Sequence, residues 1–314
     1  MAKKPKMSKA EQKKQLDLSN ALLKAIEAGN LKKVRGLVEA GADPNRPNWE
    51  GSLPLHDAAE HGHLPVVKYL VGECHVAPGT VNCVGDQPLH DAAEFGHLDI
   101  VKYLVEECRV SVSVAGSQGG EPLHAAAGSG ANGLNGGGYL DVVKYLVGKG
   151  ASVNSRRDHS GWSPLHHAAR WGNLAVAEFL VEKGAMVGAV DVIGKQQPVH
   201  WAARSGHLAM VKFLIEHGAK VDVKGNGDTP LHCAAENGYA HVVEFLMKKG
   251  ADPQKKSKYG KTAFELAKTP EVHKKLSTTK AEGREEMRQA DNVRAVHAHW
   301  KRLKGHIPVP GPRL

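Results

Sequence analysis

Six of the 19 histidines in this chain stand in one repeated setting. His56, His90, His124, His166, His200 and His232 each close a Pro-Leu-His or Pro-Val-His tripeptide. Imidazoles in series are a candidate metal-ligand set, because ring nitrogen is a common zinc ligand. Their spacing argues against it. The tripeptides recur every 32 to 42 residues, so each would open a separate helix. Stacked helices lie about 8–10 Å apart, whereas zinc holds its ligands about 2 Å from one centre. No metal is expected.

Other candidate chemistry dissolves in the same way. The run GSGANGLNGGG at 128–138 has the glycine content of a phosphate cradle, but no Gly-Lys-Ser/Thr ends it and no strand precedes it. It reads as a surface insert at 131–138. Asp57 with Glu60 and Asp91 with Glu94 are carboxylate pairs three residues apart. They have the spacing of one helix face, but they are duplicated, which suggests solvated surface rather than an acid–base pair. No Ser/His/Asp or Cys/His arrangement is marked out by a local motif. The chain is therefore expected not to be an enzyme, and to need no cofactor or small-molecule substrate.

The elements that position these residues follow from a basic period of 33. PLHDAAEHGHLPVVKYLV from Pro54 returns as PLHDAAEFGHLDIVKYLV from Pro88, and then from Pro122, Pro164, Pro198 and Pro230. Cys74 and Cys108 each add one residue after a second helix, and the Gly-rich insert accounts for most of the longest interval. Proline preset to helical φ opens a short helix, glycine stops it, and a second apolar helix follows. Two helices of about eight residues cannot bury an apolar face alone, so successive units must stack.

These units resemble the ankyrin repeat. Its T-P-L-H-x-A signature stands at Thr229-Pro230-Leu231-His232-Cys233-Ala234 and nearly at Ser163-Pro164-Leu165-His166-His167-Ala168. The resemblance covers roughly Asp17 to Lys268. It implies an all-α solenoid of helix-turn-helix units with β-hairpin loops, about seven to eight repeats including caps. The front unit, Leu22 to Asn45, lacks Pro-Leu-His as an N-terminal cap would. The unit at Lys261 to Ala267 replaces Pro and His as a C-terminal cap would. By resemblance, the six anchor histidines hydrogen-bond the adjoining loops. Leu53, Gln87, Glu121 and Gln197 stand where the family has Thr, so those turns are expected to lose a hydroxyl cap worth ~1 kcal/mol.

In each first helix, Leu, His and the alanine pair face inward, so the residue after His and those three and four later share the outward face. That strip reads Asp57, Glu60, His61; Asp91, Glu94, Phe95; Ala125, Gly128, Ser129; His167, Arg170, Trp171; Trp201, Arg204, Ser205; Cys233, Glu236, Asn237. It runs from acidic through small to basic and aromatic. The resemblance makes this face the concave groove, where partner proteins bind. Trp and Arg dominate binding hot spots, which singles out Trp171, Trp201, Arg170 and Arg204, with His167 and Phe95 beside them. Asp57, Glu60, Asp91 and Glu94 would fix orientation, and the loop residues Arg156 and Arg157 would add contacts.

The net charge of +9 is a property of the ends: +5 over residues 1–15, +9 over 254–314, and −5 between. Residues 1–16 read as a basic disordered arm, 17–269 as the repeat domain and 270–314 as a basic helical tail ending in a Pro-rich segment. Between 284 and 305, Val293, Val296, Trp300 and Leu303 share one helical face. Arg294, Lys301 and Arg302 supply cations there, so this stretch would be an amphipathic helix. Four scattered cysteines without a C-x-x-C pair suggest a reducing compartment. No apolar run is long enough to span a membrane and no signal peptide is evident. The expected function is a non-catalytic protein-interaction scaffold, cytoplasmic or nuclear. The alternative is an RNA- or ribonucleoprotein-associated factor held by its basic tails.

Overall fold

A computed structural model describes residues 8–48, 51–116, 119–129, 139–156 and 160–277. The insert 131–138, Arg157 and the tail residues Arg294, Trp300, Lys301 and Arg302 lie outside them. The described residues form eight helical pairs: α1 (Lys9–Glu27) with α2 (Leu31–Glu39), α3 (Pro54–Glu60) with α4 (Leu64–Gly72), α5 (Pro88–Glu94) with α6 (Leu98–Lys102), and α7 (Pro122–Gly128) with α8 (Leu140–Gly148). There follow α9 (Pro164–Trp171) with α10 (Leu174–Glu182), α11 (Pro198–Ser205) with α12 (Leu208–Glu216), α13 (Pro230–Glu236) with α14 (Ala240–Lys248), and α15 (Ala263–Leu266) with a helical stretch at 270–277.

Each first helix of the six full repeats carries proline at its start and a fully buried Leu or Val before the anchor histidine. The alanine pair that follows, such as Ala92 and Ala93, is also fully buried. Small side chains there let neighbouring first helices approach closely. Second helices bury residues at i, i+1 and i+4, as with Val142, Val143 and Leu146, each worth about 1.5–3 kcal/mol of transfer free energy. First helices pack more closely on one another than second helices do, so the stack bends toward the first-helix face, which is the inner one.

Three expectations change on contact with the structure. Residues 9–16 are helical rather than a disordered arm. Ser8 Oγ accepts the Glu11 N–H at 3.3 Å while the Glu11 carboxylate accepts the Ser8 N–H at 2.7 Å, and this reciprocal cap starts α1 well before the apolar face at Leu22 and Ile26. The β-hairpin loops are tight turns. Their arms are too short for a ladder, and the single bridge among the described residues joins Gly225 and Asp228. The turns with Gln87, Glu121 and Gln197 keep the same backbone cap as the turns with Ser163 and Thr229. In each, the backbone N–H donates to Nδ1 of the following anchor histidine at 3.0–3.1 Å. The residues added at Cys74 and Cys108 widen the helix end. Their N–H groups donate to carbonyls five residues back, on Tyr69 and Tyr103, both at 3.1 Å, and α6 continues as a π turn over Tyr103–Glu107.

A second ladder links repeats through the turn between paired helices. Gly62 and Gly96 hold φ of 76° and 79°, and a Cβ on either would lie within 2.5 Å of the His97 or Tyr139 ring of the next repeat. His97 Nε2 in turn donates to the Glu60 carbonyl at 2.7 Å. Above the repeat carrying the insert, buried Asn173 of the following repeat replaces the ring and donates to the carbonyls of Ala127 and Ser129, both at 2.8 Å.

Candidate functional site

The anchor histidines occupy the base of the inner face and point along the stack. Nε2 donates to a carbonyl of the following loop in all six: Asp86 from His56, Gly120 from His90, Ser155 and Trp162 from His124, Gln196 from His166, Val223 from His200 and Lys255 from His232, at 3.0–3.2 Å. In the five after His56, Nδ1 accepts the backbone N–H described above or its equivalents at Ser163 and Thr229, which fixes the proton on Nε2. Ser163 and Thr229 also donate their hydroxyls to that Nδ1 at 2.8 Å. Burial pushes the His56, His200 and His232 rings below their ordinary value, and His166 to about 4. These rings are neutral structural ties. No group of three or more potential ligands capable of holding a metal occurs among the described residues.

On the strip itself, the N-terminal half is a carboxylate cluster on α3, α5 and the loop between repeats. It is not simple solvated surface. Asp57 is buried and accepts from Ser52 Oγ at 2.7 Å. Burial raises its carboxyl, and Glu60 beside it adds to the rise. Asp91 is half-buried, its Oδ2 has no hydrogen-bond partner, and its carboxyl is pushed up to about 8. Burial is the largest cause, followed by the charges of Asp86, Glu60, Glu94 and Asp57. Glu94, exposed at the rim, is raised by burial of its carboxyl and by Asp86 and Glu60. Phe95 is exposed next to it.

The C-terminal half is aromatic and cationic. Trp162 and Trp201 lie 4.4 Å apart between ring centroids, and His167 meets Trp162 edge-on at 5.1 Å. The Arg170 guanidinium stands 5.5 Å from both of these indoles and 5.7 Å from Trp171. Arg204 also lies over Trp201, at 5.5 Å. Each such contact is worth ~0.5–1 kcal/mol at an exposed site. Trp171 remains 43% exposed. Trp201 is half-buried, and its indole N–H donates to Asp191 Oδ2 at 3.3 Å. Asp191 Oδ1 accepts the Gly194 and Gln196 N–H groups at 2.8 and 3.1 Å, so Trp201 is fastened to the neighbouring loop.

Two further residues sit differently from their sequence reading. Cys233 is buried rather than outward, because Arg204 folds over it with Nη2 donating to Sγ at 3.6 Å. Arg156 is exposed, but its Nε donates to the Gly161 carbonyl at 3.2 Å and Nη2 to the Val190 carbonyl, so it ties two loops together. Trp162, Asp86 and Asp191 were not among the residues singled out by the sequence. Counting helix positions alone passes over the column two residues before each proline. That column reads Ser52, Asp86, Gly120, Trp162, Gln196 and Asp228, and it supplies one member to each half of the site.

Family models for ankyrin repeats match residues 5–82, 55–157 and 187–257, and a further one matches 136–181. Among curated relatives, bovine dynein axonemal heavy chain 12 is 49% identical over 55 residues, which cover 18% of this chain and 15% of that protein. Human ankyrin repeat and SOCS box protein 14 is 47% identical over 55 residues, covering 18% of this chain and 9% of that protein. Zebrafish Notch-regulated ankyrin repeat-containing protein A is 41% identical over 59 residues, covering 19% and 53% respectively. The chain thus shares only a short stretch of repeat with the first two.

Proposed function

Because this chain belongs to the ankyrin repeat family, whose repeats generally mediate protein–protein interaction, we propose that it is a non-catalytic scaffold binding a partner protein along its first-helix face. The observation that carries this reading is the Trp171–Arg170 pair. The framework requires neither residue, yet an exposed indole and an exposed guanidinium stand rigidly together on the inner face, backed by Trp162 and Trp201. Preorganised aromatic and arginine side chains lose little entropy on binding. Val192 and Ile193, 61% and 80% exposed at the neighbouring loop tip, extend that surface at its margin.

The alternative, an RNA-associated factor, rests on residues 1–16 and 270–314. Most of these lie outside the described residues, and no observation on the inner face favours it. The carboxylates of Asp57, Glu60, Asp86 and Glu94 would repel phosphates there. The proposed setting is the cytoplasm or nucleus, where cysteines outside disulfides, such as Cys74 and Cys108, persist.

The test is affinity capture from cells with cross-linking mass spectrometry, with and without nuclease, comparing the full chain with Trp171→Ala and Arg170→Ala. The expected result is a nuclease-resistant protein cross-linked through Lys195, beside Ile193, whose capture falls in both variants. Capture that ignores both substitutions, or vanishes with nuclease, overturns the reading.

A further inference from the structure

We propose that the inner face selects an extended peptide by charge order, seating an acidic side chain of the partner at Arg170 and Arg204 and a basic side chain at the Asp86–Asp91–Glu94 cluster. This rests on the reading above that the first-helix face binds a protein, and it adds which chemistry that protein presents and at what spacing.

The cationic half has unused capacity. The ion pairs among the described residues lie elsewhere, chiefly on the outer helices and loops, as with Arg35–Glu73, Lys149–Glu106 and Lys275–Glu244. Neither Arg170 nor Arg204 has a carboxylate within ion-pair reach there, and Arg204 Nε is buried without a hydrogen-bond partner. An unsatisfied buried donor costs about 1–3 kcal/mol. A carboxylate arriving from the partner would meet the outer N–H groups of guanidinium forks that stacked indoles already hold in place. The surrounding Trp171, Val192 and Ile193 are exposed and apolar, so the residues flanking that carboxylate are expected to be apolar.

The anionic half is the complement. Asp57, Glu60, Asp86, Asp91 and Glu94 converge from two helices and one loop, and each of the other four is among the causes that raise Asp91. Self-repulsion of this kind is relieved by a cation between the carboxylates. The next repeat contributes Ala125, Gly128 and Ser129 to the strip, which add no charge between the two halves. A nucleic acid is disfavoured, because its phosphates would meet the acidic half whichever way it lay. A peptide of mixed charge meets both.

The separation follows from the stack. From α5 to α9 or α11 is two or three repeats, about 20–30 Å at about 10 Å per step. An extended chain rises about 3.3 Å per residue, which places the two charges about six to nine residues apart.

The test is selection of random peptides of about 16 residues displayed on phage against the full chain, followed by anisotropy of fluorescein-labelled selected peptides. Wild type is compared with Trp171→Ala, Arg170→Glu and Glu94→Lys. Arg170 and Glu94 are both exposed, and thermal melting verifies that each variant folds. Selected peptides should pair an acidic with a basic residue six to nine positions apart. Arg170→Glu and Glu94→Lys should each weaken them about ten-fold or more, and reversing the facing peptide charge should restore binding to each. Selected peptides that lose binding in Trp171→Ala but ignore both charge reversals overturn the charge order and leave the binding face standing. Peptides indifferent to Trp171→Ala as well, or no selection at all, overturn the face itself. A labelled oligouridylate bound by wild type and lost in Arg170→Glu would assign the arginines to nucleic acid and overturn the proposal.

Discussion

Replacing Asp91 by asparagine should stabilise the array, and more so as pH rises. In the unfolded chain this carboxyl ionises near its ordinary 3.8, whereas in the fold burial and the carboxylates of Asp86, Glu60, Glu94 and Asp57 push it to about 8. Between those values the folded chain holds a proton that the unfolded chain has released. Raising the pH through that window therefore pulls the equilibrium toward unfolding. At about 1.4 kcal/mol per pH unit, the full displacement would be worth about 5–6 kcal/mol. Asp91 is only half-buried, and screening by water at the open face brings the expectation to about 1–3 kcal/mol. Asparagine keeps the shape and cannot ionise. Urea denaturation of both proteins at intervals from pH 4.5 to 9 measures the difference in stability. It should be small at the acid end, grow through neutrality and level off above about pH 8. The carboxyl carbon shift of Asp91 in NMR reads the same titration directly. A difference that stays constant with pH, or an Asp91 carboxyl titrating below pH 5, refutes the argument.

The buried histidines act in the opposite sense. His166 titrates at about 4 in the fold against about 6.5 when unfolded, so its contribution is intact above about pH 6.5 and lost as pH falls toward 4. His166→Gln should therefore flatten the acid side of the stability profile in urea titrations. Gly96→Ala should cost about 2–4 kcal/mol, because it adds a left-handed alanine and drives a Cβ to 2.1 Å from the Tyr139 ring. Gly184→Ala, at φ 88° with no atom near its Cβ, should cost only about 1–2 kcal/mol, and denaturant midpoints separate the two. Asn173→Ala leaves the Ala127 and Ser129 carbonyls without their donor. It should cost about 1–3 kcal/mol and speed amide exchange in α7 first.

The framework was legible because it repeats. Pro at the first helical position, the buried Leu and alanine pair, and the anchor histidine each recur in six registers, so stacking could be inferred from one unit and checked on the next. The inner strip was legible in outline for the same reason: successive first helices face the same way. Its depth was not. Asp57 looked like open surface, yet it is buried and accepts the Ser52 hydroxyl. Cys233 looked outward, yet Arg204 lies across it. The first depends on a turn residue five positions back and the second on the preceding repeat, 29 residues away, and neither follows from the helical period. Residues 9–16 misled for a different reason. Lysine-rich composition suggested a solvated arm, while the Ser8–Glu11 cap that starts the helix rests on two residues.

The proposed site draws on columns the fold leaves free. A position that must be Leu, His or Ala in every repeat cannot differ between partners, so recognition is left to positions whose side chains the stack does not constrain. Two such columns face the groove: the outward helix triplet and the residue two before each proline. Where both columns turn acidic, at Asp86 with Asp91 and Glu94, burial first and the neighbouring charges second raise the Asp91 and Glu94 carboxyls. Where both turn aromatic, at Trp162 with Arg170, Trp171 and Trp201, each side chain braces the next. One half of the groove is thus electrostatically frustrated and the other preorganised. On the proposed reading, a partner cation would gain at the first by relieving repulsion, and a partner anion would gain at the second by meeting donors already in place. Because the two gains would come from opposite charges at fixed repeats, a bound segment is expected to have a preferred direction along the stack.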